Sequence, residues 1–381
     1  MFRTSFLFAA ATLAILPALA QDGYEPPLRA NDLTPEERYS AGVHSDAHPP
    51  RVGGEGNGGV ILPGVCWAGV HWDANPAQVR GKDIGAPRLS ANNVWTGLRA
   101  GKTDDKVNEN YVVYGRPFYA MAAGTVVGCW RNAPDNPAKS KHPDFTNGKM
   151  PNGGNHLYVL QDDGNYALYA HAKPGSIPTT LCPHNAVQLS SSKRDGGEPS
   201  LLLDTKVDKG ARVTPGMPLG LVGNSGDSSG PHLHVHVVKN GVGQPMPFRR
   251  GMTTPLGDDD KADIDGPWTR LDGKEMPARR VLLWAPHKQG NYTFNGVLAA
   301  NYQRMVDHLA DSELMPGLIT CAGNGATYNS DWSPAKDKNW ASFNAMSPAE
   351  AKAKHSHYTG LGYQRTSSYT CGPYSVAVWK K

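Results

Sequence analysis

Apolar and polar positions along this chain alternate in short runs, with few long helical periods. From Tyr111 the runs are strand-like, at 111–114, 118–121, 124–127, 156–160, 166–170 and 218–222. They are rich in Val, Tyr and Leu, and turn residues such as Asp162-Asp163-Gly164-Asn165 separate them. This pattern predicts an antiparallel, all-β region over 101–255. The last hundred residues read differently. Ser347-Pro348-Ala349-Glu350 is a capping box with Pro at the first helical position. It predicts a helix to about Tyr358, stopped by Gly360, then a strand pair at 363–369 and 374–379. The preceding segment repeats that order, with a helix at 298–312 and strands at 318–321 and 326–332. Trp332 corresponds to Trp379, and Cys321 to Cys371, at a period of about fifty residues. The expected fold class is mainly β, with two small C-terminal α+β repeats at 286–381.

The ends and joints carry other signals. Arg3 precedes an apolar run from Phe6 to Leu19, and Ala18-Leu19-Ala20 offers a cleavage site before Gln21. Residues 1–20 therefore read as a secretory signal, and the mature chain as periplasmic or secreted. No later stretch is long and apolar enough to span a membrane as a helix. Residues 21–100 read as a polar N-terminal arm and extension, 185–203 as a Ser/Lys/Gly-rich surface loop, and 256–285 as a linker. The acidic run 258–266 lacks the spacing of a calcium loop and reads as solvated.

Composition narrows the class. Gly supplies 43 and Pro 31 of the 381 residues, which suits short strands joined by turns. The formal net charge is +4. That is too mild to argue for nucleic acid, though it suits an anionic envelope. The five cysteines are far apart and form no C-x-x-C pattern. In an oxidising compartment they read as disulfide partners. Region membership pairs Cys129 with Cys182 and Cys321 with Cys371, leaving Cys66 over.

The chemistry concentrates in Gly226-Asp227-Ser228-Ser229-Gly230-Pro231-His232-Leu233-His234-Val235-His236-Val237. In a strand, side chains at i and i+2 share a face. His232, His234 and His236 would line one side, and Leu233, Val235 and Val237 the other. Imidazoles gathered at a strand start can hold zinc and move protons.

Four phrases in order resemble the lysostaphin-type zinc endopeptidases, which cleave peptidoglycan cross-bridges. They are Gly115-Arg116-Pro117-Phe118-Tyr119-Ala120-Met121 with its continuation to Val127, then Tyr169-Ala170-His171, then Leu219-Gly220-Leu221-Val222-Gly223-Asn224-Ser225-Gly226, and Gly230-Pro231-His232-Leu233-His234. The resemblance covers about 110–250. The C-terminal segment resembles bacterial tandem-repeat modules that follow secreted hydrolase domains, through Asn339-Trp340-Ala341, Gly362-Tyr363 and Ala377-Val378-Trp379-Lys380. The first resemblance implies a lysostaphin-type β fold, one zinc ion and a peptidoglycan or peptide substrate. It implies that His234 is a metal ligand and that His171 and His232 are the catalytic pair, which orients water and stabilises the oxyanion. His236, where the family has an acidic or polar residue, would be a supporting or surface residue.

The family's H-x-x-x-D metal motif is missing before the opening hairpin. Counting back from Gly115 places its Asp at Glu109 and its His at Asp105, with Val107 where the family has Gly. Two readings follow. In the first, Asp105, Glu109 and His234 form a two-carboxylate, one-histidine metal site, and the chain is a divergent metal-dependent endopeptidase. In the second, the metal site is lost and the region only binds or regulates at peptidoglycan. A third makes the repeats the functional part, as an adhesion unit. His71, in Val70-His71-Trp72-Asp73, is a further histidine within reach of the groove.

Overall fold

The computed structural model describes residues 23–29, 32, 39–43, 80–90, 95–183, 206–249, 251–255, 267–271, 273–275, 280–282, 291–311, 313–336 and 339–381. The expected signal segment, Cys66, His71, the 185–203 stretch and the acidic run 258–266 lie outside these residues.

The fold is mainly β and antiparallel, built around one sheet that has eleven strands among the described residues. In chain order its strands are β1 (Tyr39–Val43), β2 (Lys82–Gly85), β3 (Gly124–Trp130), β4 (Asn155–Gln161), β5 (Tyr166–Ala172), β6 (Arg212–Val213), β7 (Leu233–Lys239), β8 (Val242–Gln244), β9 (Met252–Pro255), β10 (Thr269–Arg270) and β11 (Arg280–Leu282). The spatial order is β10-β9-β11-β1-β2-β7-β5-β4-β3-β6, with β8 also paired to β7. The histidine strand β7 is therefore interior. Leu233, Val235 and Val237 are fully buried in the main apolar core with Val126, Val159, Ala167 and Tyr169.

Burial of β7 on both faces leaves an edge that must be covered. Strand β2 covers it, and β1 extends the sheet from there. Residues expected as a polar arm (21–100) thus supply two strands of this sheet, and residues expected as a linker (256–285) supply two more, β10 and β11. Their apolar pattern is too brief to stand out in the sequence. The Cys129–Cys182 disulfide ties β3 to the segment that follows β5.

The C-terminal residues form two units with the same element order. The first has β12 (Tyr292–Leu298), α2 (Ala299–Asp311), β13 (Leu314–Ala322) and β14 (Thr327–Pro334); a one-turn helix α1 (Pro143–Thr146) lies earlier in the chain. The second has β15 (Trp340–Met346), α3 (Pro348–Gly360), β16 (Gln364–Cys371) and β17 (Tyr374–Lys380). Each unit has one strand more than the sequence pattern suggests, and its last strand lies in the middle of a three-stranded sheet. The capping box at Ser347 and Glu350 is formed, with Pro348 in the first turn.

The equivalent strands β13 and β16 meet, and the Cys321–Cys371 disulfide joins equivalent positions on them. One apolar core spans both units. It contains Tyr302, Met305, Val306 and Leu309 of α2 with Tyr328 and Trp332, and also Val376 and Val378 of β17. The two helices differ: α2 buries one face, while α3 has no buried residue.

Candidate active site

The site lies on the face of the sheet opposite the main core. Cross-strand register sets its first pair. His234 of β7 stands opposite Asp83 of β2 and opposite Ala170 of β5. Paired residues share a face, so the Asp83 carboxylate and the His234 ring meet above a small alanine. His234 Nδ1 donates to Asp83 Oδ1 at 2.8 Å, and His232 Nε2 lies 3.4 Å from the same oxygen. On its other side, His234 Nε2 is 2.8 Å from His236 Nδ1. His234 and His236 are buried, while His232 and Asp83 keep part of their side chains open to solvent.

His171 reaches the same place by a backbone irregularity. Strict alternation along β5 would send it to the face opposite Ala170. Between the pairs Asn155–Ala172 and Leu157–Tyr169 the register slips, so Ala170 and His171 together oppose one residue of β4. His171 takes a φ of 66° at this bulge. Bulges re-aim side chains beside functional sites, and the His171 ring sits 4.7 Å from that of His232 and 5.9 Å from that of His234. Its Nδ1 donates to the Ser225 carbonyl at 2.7 Å, which leaves Nε2 as the bare nitrogen of a neutral ring.

The environment separates the charges of these groups. Burial pushes the Asp83 carboxyl up, but the His232 and His234 rings outweigh it and hold it well below the usual carboxylate range. Burial lowers His171 well below the usual imidazole range, and the neighbouring rings of His232 and His234 lower it further. Burial also acts on His232, yet Asp83 beside it more than compensates and raises it. His234 stays lowered by burial despite its hydrogen bond to Asp83. A neutral ring beside a more basic ring, over one carboxylate, is a division suited to acid–base work.

Buried asparagines hold the wall of the site. The Asn136 amide nitrogen lies 2.8 Å from the carbonyls of Asn224, Gly226 and Ser228. The Asn224 side chain donates to Asn108 Oδ1 and to the Asn136 carbonyl, both at 3.0 Å. Here the chain folds flat on itself. Gly226 has a φ of 80°, and a Cβ there would lie 2.3 Å from the Gly154 nitrogen. Asp135 adds a further tie, accepting from the Asn224 backbone at 2.8 Å and from the Tyr114 hydroxyl at 2.8 Å.

The residues expected at the site divide accordingly. His171, His232 and His234 come together. Asp105 and Glu109 do not join them, so the expected trio with His234 is corrected. Asp105 pairs with Lys139, and Glu109 is exposed on the short turn Asn108–Asn110. The buried residues of that turn are Asn108 and Asn110; Asn108 joins the wall through Asn136 and Asn224, and Asn110 ties back to the Asp104 carbonyl. His236, expected as supporting or surface, is fully buried against His234.

The carboxylate beside His234 is Asp83, which the sequence reading missed. A signal was present: Gly81-Lys82-Asp83 keeps the Gly and the Asp of the absent motif, with Val79 where its His would stand. A fixed count back from Gly115 overlooked the long insertion between Asp83 and the hairpin.

Asp83 and His234 offer a carboxylate oxygen and an imidazole nitrogen, both of which zinc accepts. A catalytic zinc takes three protein ligands. Among the described residues no group of three or more His, Cys, Asp or Glu is arranged to hold a metal ion. The pair fits a divalent cation in kind and falls short in number.

No family model matches the chain, and no curated protein matches it. Among solved structures, the catalytic domain of the antimicrobial peptidase lysostaphin from Staphylococcus simulans is 18% identical, covering 39% of this chain and 80% of that one, with a TM-score of 0.19. A zinc-containing peptidase from Vibrio cholerae is 16% identical over 43% of this chain at a TM-score of 0.20; the match spans 48% of that peptidase, about half its length. The SpoIIIAH and SpoIIQ complex gives 12% identity, 58% and 95% coverage, and a TM-score of 0.26. These are likenesses of parts at low TM-score, and the chemistry below rests on this chain's own geometry. No helix among the described residues is long and apolar enough to cross a membrane.

Proposed function

We propose that this chain is a divergent endopeptidase of the cell envelope, acting on the peptide cross-bridges of peptidoglycan. The observation that carries the reading is His171, buried on a bulge at positive φ with its ring beside those of His232 and His234. A non-glycine residue in the left-handed region costs free energy and persists where its surroundings enforce it, often at functional sites. The four resembling phrases support peptidoglycan as substrate, and the apolar leader supports an exported location.

In this reading His171 Nε2 accepts a proton from the attacking water while the Ser225 carbonyl holds the ring. His232, turned towards Asp83, donates to the developing oxyanion and then protonates the leaving amine. Asp83 balances the charge on His232 and orients His234 through Nδ1. Asp83 and His234 would supply two of the three protein donors a catalytic zinc takes, and such an ion would polarise the scissile carbonyl and acidify a water.

A second reading is favoured by the shortage of metal donors: a groove that binds peptidoglycan without cutting it. Elemental analysis of the purified protein and turbidity loss of isolated cell walls separate the two. Bound zinc with clearing that chelation abolishes supports the endopeptidase. Absence of metal, no clearing, and co-sedimentation with walls supports the binding module.

A further inference from the structure

We propose that the second C-terminal unit, residues 339–381, is a docking face for peptidoglycan, whose free peptide carboxylates it holds with cations set on an aromatic platform. The inference shares a polymer with the reading above but not a site, so either can fail alone.

Charge singles out this unit. The chain has 38 Lys and Arg against 34 Asp and Glu. Residues 339–381 hold five of the first and one of the second, which leaves 33 of each in the remainder. The whole excess of +4 therefore sits in one small unit. Its twin, residues 291–336, is inverted, with two basic and four acidic residues. Two units with the same element order need not differ in this way to fold. A surface of one sign concentrates ligands of the other.

The cations are also arranged. Phe343, Tyr358, Tyr363 and Trp379 gather between α3 and its sheet, with neighbouring ring centroids 5.4 to 6.1 Å apart. Trp379 is fully buried and the other three are half-buried. Lys354 Nζ lies 4.1 Å over the Phe343 ring, and Lys381 Nζ 5.7 Å over the Tyr363 ring. Arg365 stands opposite Trp379 in the register of β16 and β17, so it shares that face. Lys352 is exposed on α3, and Lys380 alternates to the other face of the sheet.

Among the described residues no carboxylate forms an ion pair with Lys352, Lys354, Arg365 or Lys381. Glu350, the one acid, accepts from the Ser347 nitrogen at 2.8 Å and hydroxyl at 2.7 Å, at the start of the helix. Lys381 gives one N–H to the Leu361 carbonyl at 2.9 Å. A ring beneath an ammonium holds it while leaving N–H groups for an incoming anion. Cations ordered beforehand lose less freedom on binding. A second attachment on the same chain would also raise the effective concentration of the polymer at the histidine groove.

The test is co-sedimentation of the full chain with isolated walls. A His171→Asn parent keeps the walls whole whether or not the histidine site cuts. We expect Lys352→Glu with Arg365→Glu to bind about 10-fold more weakly than the parent, and Lys352→Arg with Arg365→Lys to match it. Rising salt should bring the parent towards the reversed variant. Converting the wall carboxylates to amides should do the same, while stripping covalently attached phosphate polymers should change little.

A parent that does not bind walls overturns the inference. So does a reversed variant with an unchanged unfolding temperature that binds as tightly as the parent. Binding that survives amidation, or that departs with the phosphate polymers, overturns it as well. Salt-sensitive self-association in ultracentrifugation, lost in the reversed variant while wall binding stays, assigns the face to the acidic unit of a second copy instead. Wall clearing by the chain with His171 intact decides the endopeptidase reading separately.

Discussion

On the site face of the main sheet, burial encloses histidines beside a partly open carboxylate, and one of those histidines is bent to positive φ. In the paired C-terminal units, burial encloses aromatic and aliphatic side chains, tied across by a disulfide. The first arrangement leaves polar groups with narrow requirements that water would meet more simply. The second removes apolar surface from water and asks for no chemistry. The contrast teaches that the strained polar cluster is not the source of this protein's stability, whereas the dry core is. Four changes test that division.

The largest effect is expected at His171. His171→Asn keeps a residue that tolerates positive φ but removes the ring. Wall clearing should fall by up to about 10⁴-fold, about 5 kcal/mol of barrier, while the melting temperature holds or rises. A fall in melting temperature as large as that of a core deletion would make His171 structural and erase the contrast.

Trp332→Ala should do the reverse. Trp332 is fully buried, packs edge-on against Trp340 and donates Nε1 to Ser330. Its truncation should cost about 4 kcal/mol in urea unfolding and leave clearing per folded molecule unchanged. Opening the Cys321–Cys371 link by paired Ser substitutions should cost about 3 kcal/mol, since it closes a long loop in the unfolded chain; unfolding with and without reductant measures it.

The smallest effect links the two kinds of burial. Asp135 is mostly buried, and burial pushes its pKa up to about 6, against hydrogen bonds from the Asn224 backbone and Tyr114. A carboxyl with a raised folded pKa binds its proton more tightly in the fold than in the unfolded chain. Stability is then greatest below the unfolded value and is lost as pH rises through about 6. From pH 7 to 4 the wild type should gain at most about 3 kcal/mol from this group, and Asp135→Asn should lack that component. Urea midpoints across this range check it, and an unchanged slope in the variant would remove Asp135 as the source.

The legible parts of this molecule were those written locally. Strand runs, the capped helix at Ser347 and both disulfide pairings follow from short-range pattern and from which cysteines share a region. The histidine face of β7 follows from a period of two. Asp83 did not, because its partner lies 151 residues away in sequence and an insertion defeats any fixed count from the hairpin. The bulge at His171 was also hidden, since a one-residue slip depends on β4 rather than on the residues around Tyr169 and Ala170. The buried asparagines of the wall look like ordinary loop residues until three carbonyls converge on one amide.

The disulfide between Cys321 and Cys371 has a consequence for growth. Because it joins like position to like position across like strands, the two units complete one another much as the halves of a twofold dimer do. Solenoid repeats offer each newcomer the face their predecessor offered, so they lengthen by duplication. This pair has used that face on itself. A third copy could not repeat that contact and would have to join through the outer strands β12 or β15.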